Sequence, residues 1–193
     1  TIDLCLSVFD WAKFRKRKGA IKLHSLYDLQ RGIPTVSVLT EGKDHEAKIA
    51  KHTAFMPCPD SIIVFDRGYN DFTQFQSYTD KGVWFVTRAK KNIAYTITGQ
   101  HLKNSKEGVY FDDTIAVSSD GYTGPLRLIG YFDETTQKVF QFLTNNFFLT
   151  ALQIAEIYKS RWAIELFFKW LKQNLKVKTF VGTSKNAVYS QIW

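Results

Sequence analysis

Five side chains stand out by type and spacing: Tyr158, Arg161, Glu165 and Lys172 in one stretch, and Asp66 far upstream. The stretch from Thr150 to about Leu175 holds neither proline nor glycine and reads as one long helix. At about 100° per residue, its four polar side chains fall on one narrow stripe. The other faces carry Trp162, Ile164, Leu166, Phe167, Phe168, Trp170 and Leu171. A helix apolar nearly all round is expected to be buried, so a lone polar stripe on it faces something other than core. Glu165 is the sole carboxylate between Lys159 and Trp193. The simpler reading is an Arg161–Glu165 ion pair at i,i+4, worth only about 0.3–0.5 kcal/mol. Tyr158 and Lys172 on the same stripe weigh against it. Trp162 reads as a core residue rather than a base-stacking one.

Asp66 follows Ser61–Phe65 (SIIVF), a continuous apolar run that reads as a strand buried on both faces. A carboxylate just past such a strand lies where open α/β sheets place their ligands. Asp-Arg-Gly is also ordinary turn chemistry. Paired with Glu165, Asp66 would make a carboxylate site for Mg²⁺, a hard ion that prefers oxygen ligands. Two such ions about 4 Å apart serve in-line phosphoryl displacement.

These residues need elements to hold them. Ala20–Leu29 and Pro34–Leu39 read as a hairpin around Arg31–Pro34, and Asp44–Phe55 as a weak helix stopped by Pro57 and Pro59. A helix is expected over Asp71 to about Asp80, closed by Gly82, followed by a buried strand Val83–Thr87. From about Lys90 to Phe142 the bursts IAYTIT, VYFDDTIAV, LRLIGYF and VFQFLT alternate between turn residues, as an antiparallel sheet does.

The chain has 193 residues, 16% of them aromatic, with few Pro and Gly, which excludes disorder and fibrous repeats. No apolar run approaches the ~20 residues of a membrane span. Two cysteines without a CxxC pair argue against a disulfide framework or a cysteine zinc site. His24 and His45 are too far apart in sequence to indicate a metal pair. Nor does a Gly-x-Ser-x-Gly elbow support a hydrolase triad. The net charge is +8, and residues 11–51 hold ten basic against four acidic side chains, including the run Arg15–Lys18. That balance points to a polyanion such as DNA as partner.

The spacing Tyr158-x2-Arg161-x3-Glu165-x6-Lys172 resembles the Tyr-Arg-Glu-Lys signature of bacterial insertion-sequence transposases of the DDE class. Asp66-Arg67-Gly68-Tyr69 is similar to that family's second catalytic Asp motif, and Lys18–His24 to the strands before it. The resemblance covers essentially the whole chain. It implies an α/β fold: a ribonuclease H-like mixed sheet flanked by helices, with an antiparallel β-rich insertion before the helix of the catalytic Glu. On that reading residues 1–89 and 143–193 are the catalytic core and 90–142 the insertion.

The resemblance further implies Mg²⁺, with Mn²⁺ as substitute, held by Asp66 and Glu165 as catalytic carboxylates. Tyr158, Arg161 and Lys172 would bind DNA phosphates. The partners implied are transposon ends and target DNA, with a homodimer at synapsis and no membrane. The expected location is the bacterial cytoplasm, at the nucleoid when DNA is bound. The family's first catalytic Asp is expected upstream of Thr1, since the register of Asp3 does not suit it. The expectation is therefore a core inactive by itself, with a non-catalytic DNA-binding fragment as the alternative.

Overall fold

The computed structural model describes residues 2–4, 13–15, 18–41, 49, 51, 55–101, 108–174 and 181–192. They form two compact units, one of Thr1–Phe55 with Trp162–Trp193 and one of Met56–Arg161.

In the first unit, β3 (Lys18–Asp28) and β4 (Ile33–Glu41) form the expected hairpin, with β1 (Ile2–Leu4) and β2 (Lys13–Arg15) also paired antiparallel to β3. The turn falls earlier than expected, over Leu29–Gly32. Asp28 accepts from the N–H groups of Gln30 and Arg31, and Gly32 takes φ +69°, a conformation that favours glycine. Pro34 therefore lies within β4, opposite Tyr27 beside a bulge, where a missing N–H is tolerated. His24 is a core residue whose Nε2 bonds Thr40 Oγ1 at 3.0 Å. The helix expected over Asp44–Phe55 and the side chains of Arg15–Lys18 lie outside the described residues. Helix α3 (Trp162–Asn174) sets Phe167 against Tyr27, with ring centroids 5.4 Å apart. Helix α4 (Lys185–Ile192) docks through buried Val188.

The second unit is a six-stranded mixed sheet in the order β5-β6-β10-β9-β8-β7. Its strands are β5 (Ile62–Phe65), β6 (Trp84–Arg88), β7 (Tyr95–Gln100), β8 (Val109–Val117), β9 (Leu126–Asp133) and β10 (Lys138–Thr144). β5 and β6 run parallel, and the other pairs are antiparallel. Alternation divides each central strand between two cores. Phe85, Leu128 and Leu143 point to one face, where they meet Phe75 and Tyr78 of α1 (Phe72–Asp80). Their neighbours Val86, Ile129 and Phe142 point to the other, against Ala151, Ile154, Ala155 and Tyr158 of α2 (Ala151–Ser160). Each fully buried side chain of this kind contributes about 1.5–3 kcal/mol. The mixed sheet flanked by helices is thus present. Among the described residues no helix is long and apolar enough to cross a membrane.

Two expectations need correcting. β5 is not buried on both faces: among the described residues it pairs with β6 alone, and as an edge strand it leaves Ile62 36% exposed. The stretch from Thr150 is not one buried helix. α2 ends at Ser160, and the Arg161 N–H bonds the Tyr158 carbonyl at 3.1 Å, an i→i−3 step that interrupts the α-helical ladder. Angles counted across Arg161 therefore do not add as on one ideal wheel. α3 has no fully buried residue, and Trp162, Leu166 and Trp170 at i, i+4, i+8 are 58%, 51% and 56% exposed. Trp162 is a surface residue, not core.

Candidate active site

Asp66 begins where β5 ends. It caps a 3₁₀ turn over Arg67–Tyr69, its Oδ1 accepting from the Arg67 N–H at 2.6 Å and its carbonyl from the Tyr69 N–H at 3.0 Å. The turn is fastened to β6 through Asn70. The Asn70 amide donates to the Arg88 carbonyl at 2.8 Å, and the fully buried Thr87 hydroxyl donates to Asn70 Oδ1 at 2.8 Å. Parallel strands deliver both chain exits to one edge. Phe65 pairs with Thr87, so Asp66 leaves β5 one residue past that pair, while Arg88, the last residue of β6, is still paired with Phe142 of β10.

Tyr158 and Arg161 reach the same region from α2. A capping box fixes that helix's start: the Thr150 hydroxyl accepts from the Gln153 N–H, and Gln153 Oε1 accepts from the Thr150 N–H. The loop before it is held from below. Arg127 forks onto Asp112, with Nε–Oδ1 at 2.7 Å and Nη2–Oδ2 at 2.6 Å, and its remaining Nη1 donates to the carbonyls of Asn146 and Leu149. At the far end of α2 the buried Tyr158 ring packs on Phe142, and the Arg161 guanidinium lies over that ring. Burial pushes the Tyr158 hydroxyl above its ordinary range. The Arg161 and Arg88 charges pull it down, and the Asp66 carboxylate pushes it up. The Tyr158 hydroxyl thus lies within the fields of Asp66, Arg88 and Arg161.

Arg88 and Asn70 escaped the reading of the sequence. Arg88 ends the run VWFVTR, and its guanidinium lies over the Phe140 ring of β10 at 4.9 Å. Glu165 and Lys172 lie on α3, in its first and last turns, within the other compact unit. A carboxylate in the first turn and a cation in the last both suit the helix dipole.

Asp66 is exposed and offers a hard oxygen donor, the type that suits a divalent cation. Among the described residues no three His, Cys, Asp or Glu side chains come together as a metal-binding set. The donor chemistry therefore fits, and the described residues do not supply a complete ligand set.

A mixed sheet with helices on both faces, and a carboxylate at the end of its parallel strand, is the ribonuclease H-like arrangement. The chain belongs to the transposase DDE domain family, whose sequence model matches residues 8–193. Members of this family generally use divalent metal ions. One relative is a Sinorhizobium fredii protein named as a transposase candidate, y4zB. It is 31% identical over 190 residues, which cover 95% of this chain and 52% of the relative. Another is a Geobacillus stearothermophilus protein named as the probable transposase for insertion sequence element IS5377. It is 28% identical over 196 residues, covering 100% of this chain and 51% of the relative. The chain spans about half the length of the curated relatives it matches.

Proposed function

We propose that this chain contributes to the catalytic centre of a transposase that cuts and joins DNA strands at transposon ends. In this reading residues 1–89 and 143–193 form the core, with 90–142 as a β-rich insertion. Asp66 and Glu165 are the catalytic carboxylates and hold Mg²⁺, with Mn²⁺ as substitute. The bound ion supplies charge neutralisation at the scissile phosphate and acidifies water. Arg161 and Lys172 contribute fixed positive charge to the phosphates beside the cut. Tyr158, its hydroxyl kept protonated by burial, donates a hydrogen bond to a phosphate oxygen. Target DNA and a second copy at synapsis complete the assembly, in the bacterial cytoplasm.

What supports this reading is that one compact unit carries Asp66 at the end of β5 and Tyr158, under the Arg161 guanidinium, at the end of α2, with the Asp66 charge acting on the Tyr158 hydroxyl. It joins two sequence motifs more than ninety residues apart. Duplex binding by the chain is expected to weaken steeply as salt rises from about 50 to 200 mM. Arg161→Gln and Lys172→Gln are each expected to lower the log–log slope by about 0.9. Flat binding curves at the low end of that range would overturn the reading. Mg²⁺-dependent strand transfer by these residues alone would overturn the expectation that a further carboxylate is needed. Salt-dependent DNA binding that is indifferent to Asp66→Asn, Glu165→Gln and added Mg²⁺ would favour a non-catalytic DNA-binding fragment.

A further inference from the structure

Beside Asp66 lies an open groove of about 410 Å³ lined by Arg67, Gly68, Lys90, Lys91 and Asn92. One wall is the 3₁₀ turn that Asp66 caps, and the other is the segment that follows β6. Among the described residues three cationic side chains line it and no carboxylate does. Like charges gathered this way repel one another in the free protein, and the cost is recovered when an anion enters.

The walls are fixed rather than merely adjacent. Lys90 Nζ donates to the Asn70 carbonyl at 3.1 Å, and the Asn70 amide is tied to Thr87 and Arg88 of β6. Lys90 is therefore held before any ligand arrives, which lowers the ordering cost of binding. Gly68 brings the turn backbone to the groove without a side chain. Three cations around an open groove, rather than an enclosed cavity, suit a nucleic-acid backbone passing over the surface better than one small anion held in a closed pocket.

We propose that this groove holds the sugar–phosphate backbone of a DNA strand next to the phosphate served at Asp66. The proposal rests on the transposase reading and assigns Arg67, Lys90 and Lys91 to it as backbone contacts. They read no sequence and set the register of the strand.

The test is equilibrium binding of the full 193-residue chain to a labelled duplex over about 50–200 mM salt. Arg67→Gln, Lys90→Gln and Lys91→Gln are each expected to lower the log–log slope by about 0.9, and the triple variant by about 2–3. Lys81→Gln, at the opposite end of β6 from Lys90, should leave the slope unchanged. All four positions are exposed, and equal thermal unfolding midpoints would show that the fold is intact. A triple variant that binds with the slope of the unmodified chain overturns the groove and leaves the transposase reading standing. No duplex binding by the unmodified chain overturns both.

Discussion

The guanidinium of Arg161 lies over the ring of Tyr158, 5.5 Å from its centroid, at the point where α2 ends. The other side of that ring's environment is the sheet, with Phe142 at 4.9 Å. One aromatic side chain thus joins a packed core to a charged end. Removing the hydroxyl and removing the ring should have separable effects. Tyr158→Phe keeps the packing and should change stability by no more than about 1.5 kcal/mol. Tyr158→Ala removes a buried ring and should cost about 3–5 kcal/mol. Urea unfolding measures both. Neither change alters charge, so Tyr158→Phe should weaken duplex binding without changing its salt slope, unlike Arg161→Gln.

Burial pushes the hydroxyls of Tyr78, Tyr122 and Tyr158 above the ordinary value of 10.0. Above pH 10 the unfolded chain sheds these protons while the folded chain keeps them. Their contribution to stability is therefore complete below about pH 10 and is lost as pH rises through the raised values. Denaturation midpoints against pH, read with phenolate absorbance, check this. Asp66→Asn should lower the Tyr158 transition and Arg161→Gln should raise it, because the first change removes a negative neighbour and the second a positive one. Unchanged transitions would place Tyr158 outside the field of both.

The buried Arg127–Asp112 pair, 2.6 Å at its closest, anchors the loop that leads into α2. Asp112→Ala leaves a buried guanidinium without its partner and should cost about 3–5 kcal/mol. An Asp112→Leu, Arg127→Met double variant should recover part of that loss by removing the buried charge. It cannot recover all of it, because the carbonyls of Asn146 and Leu149 lose their donor. Urea denaturation of the two variants measures the difference.

Gly130 in the middle of β9 is a packing requirement. A β-carbon there would come within 2.4 Å of the Phe111 ring and 2.7 Å of the Tyr110 ring. Two rigid aromatics on the neighbouring strand leave little room to yield. Gly130→Ala is expected to cost about 1–3 kcal/mol, seen as a lower unfolding midpoint. An unchanged midpoint would mean that the β8–β9 pairing relaxes freely.

Much of this was legible in the residues. SIIVF followed by Asp-Arg-Gly marks the end of a strand, and the stretch from Thr150 without proline or glycine marks a helix. Alternation exposed the four antiparallel strands β7–β10. The interruption at Arg161 was not legible, because it involves neither glycine nor proline: a single i→i−3 bond suffices. Arg88 and Asn70 depend on the β5–β6 register, a relation between distant segments that no local pattern carries.

In the proposed active site Asp66 and Glu165 serve one divalent ion. A crystal structure of the chain soaked in Mn²⁺ tests it directly. The expected result is an oxygen from each carboxylate on the same ion, at the roughly 2.0–2.1 Å typical of an Mg-like site. Carboxylates more than about 10 Å apart, beyond any two-ion arrangement, would contradict it.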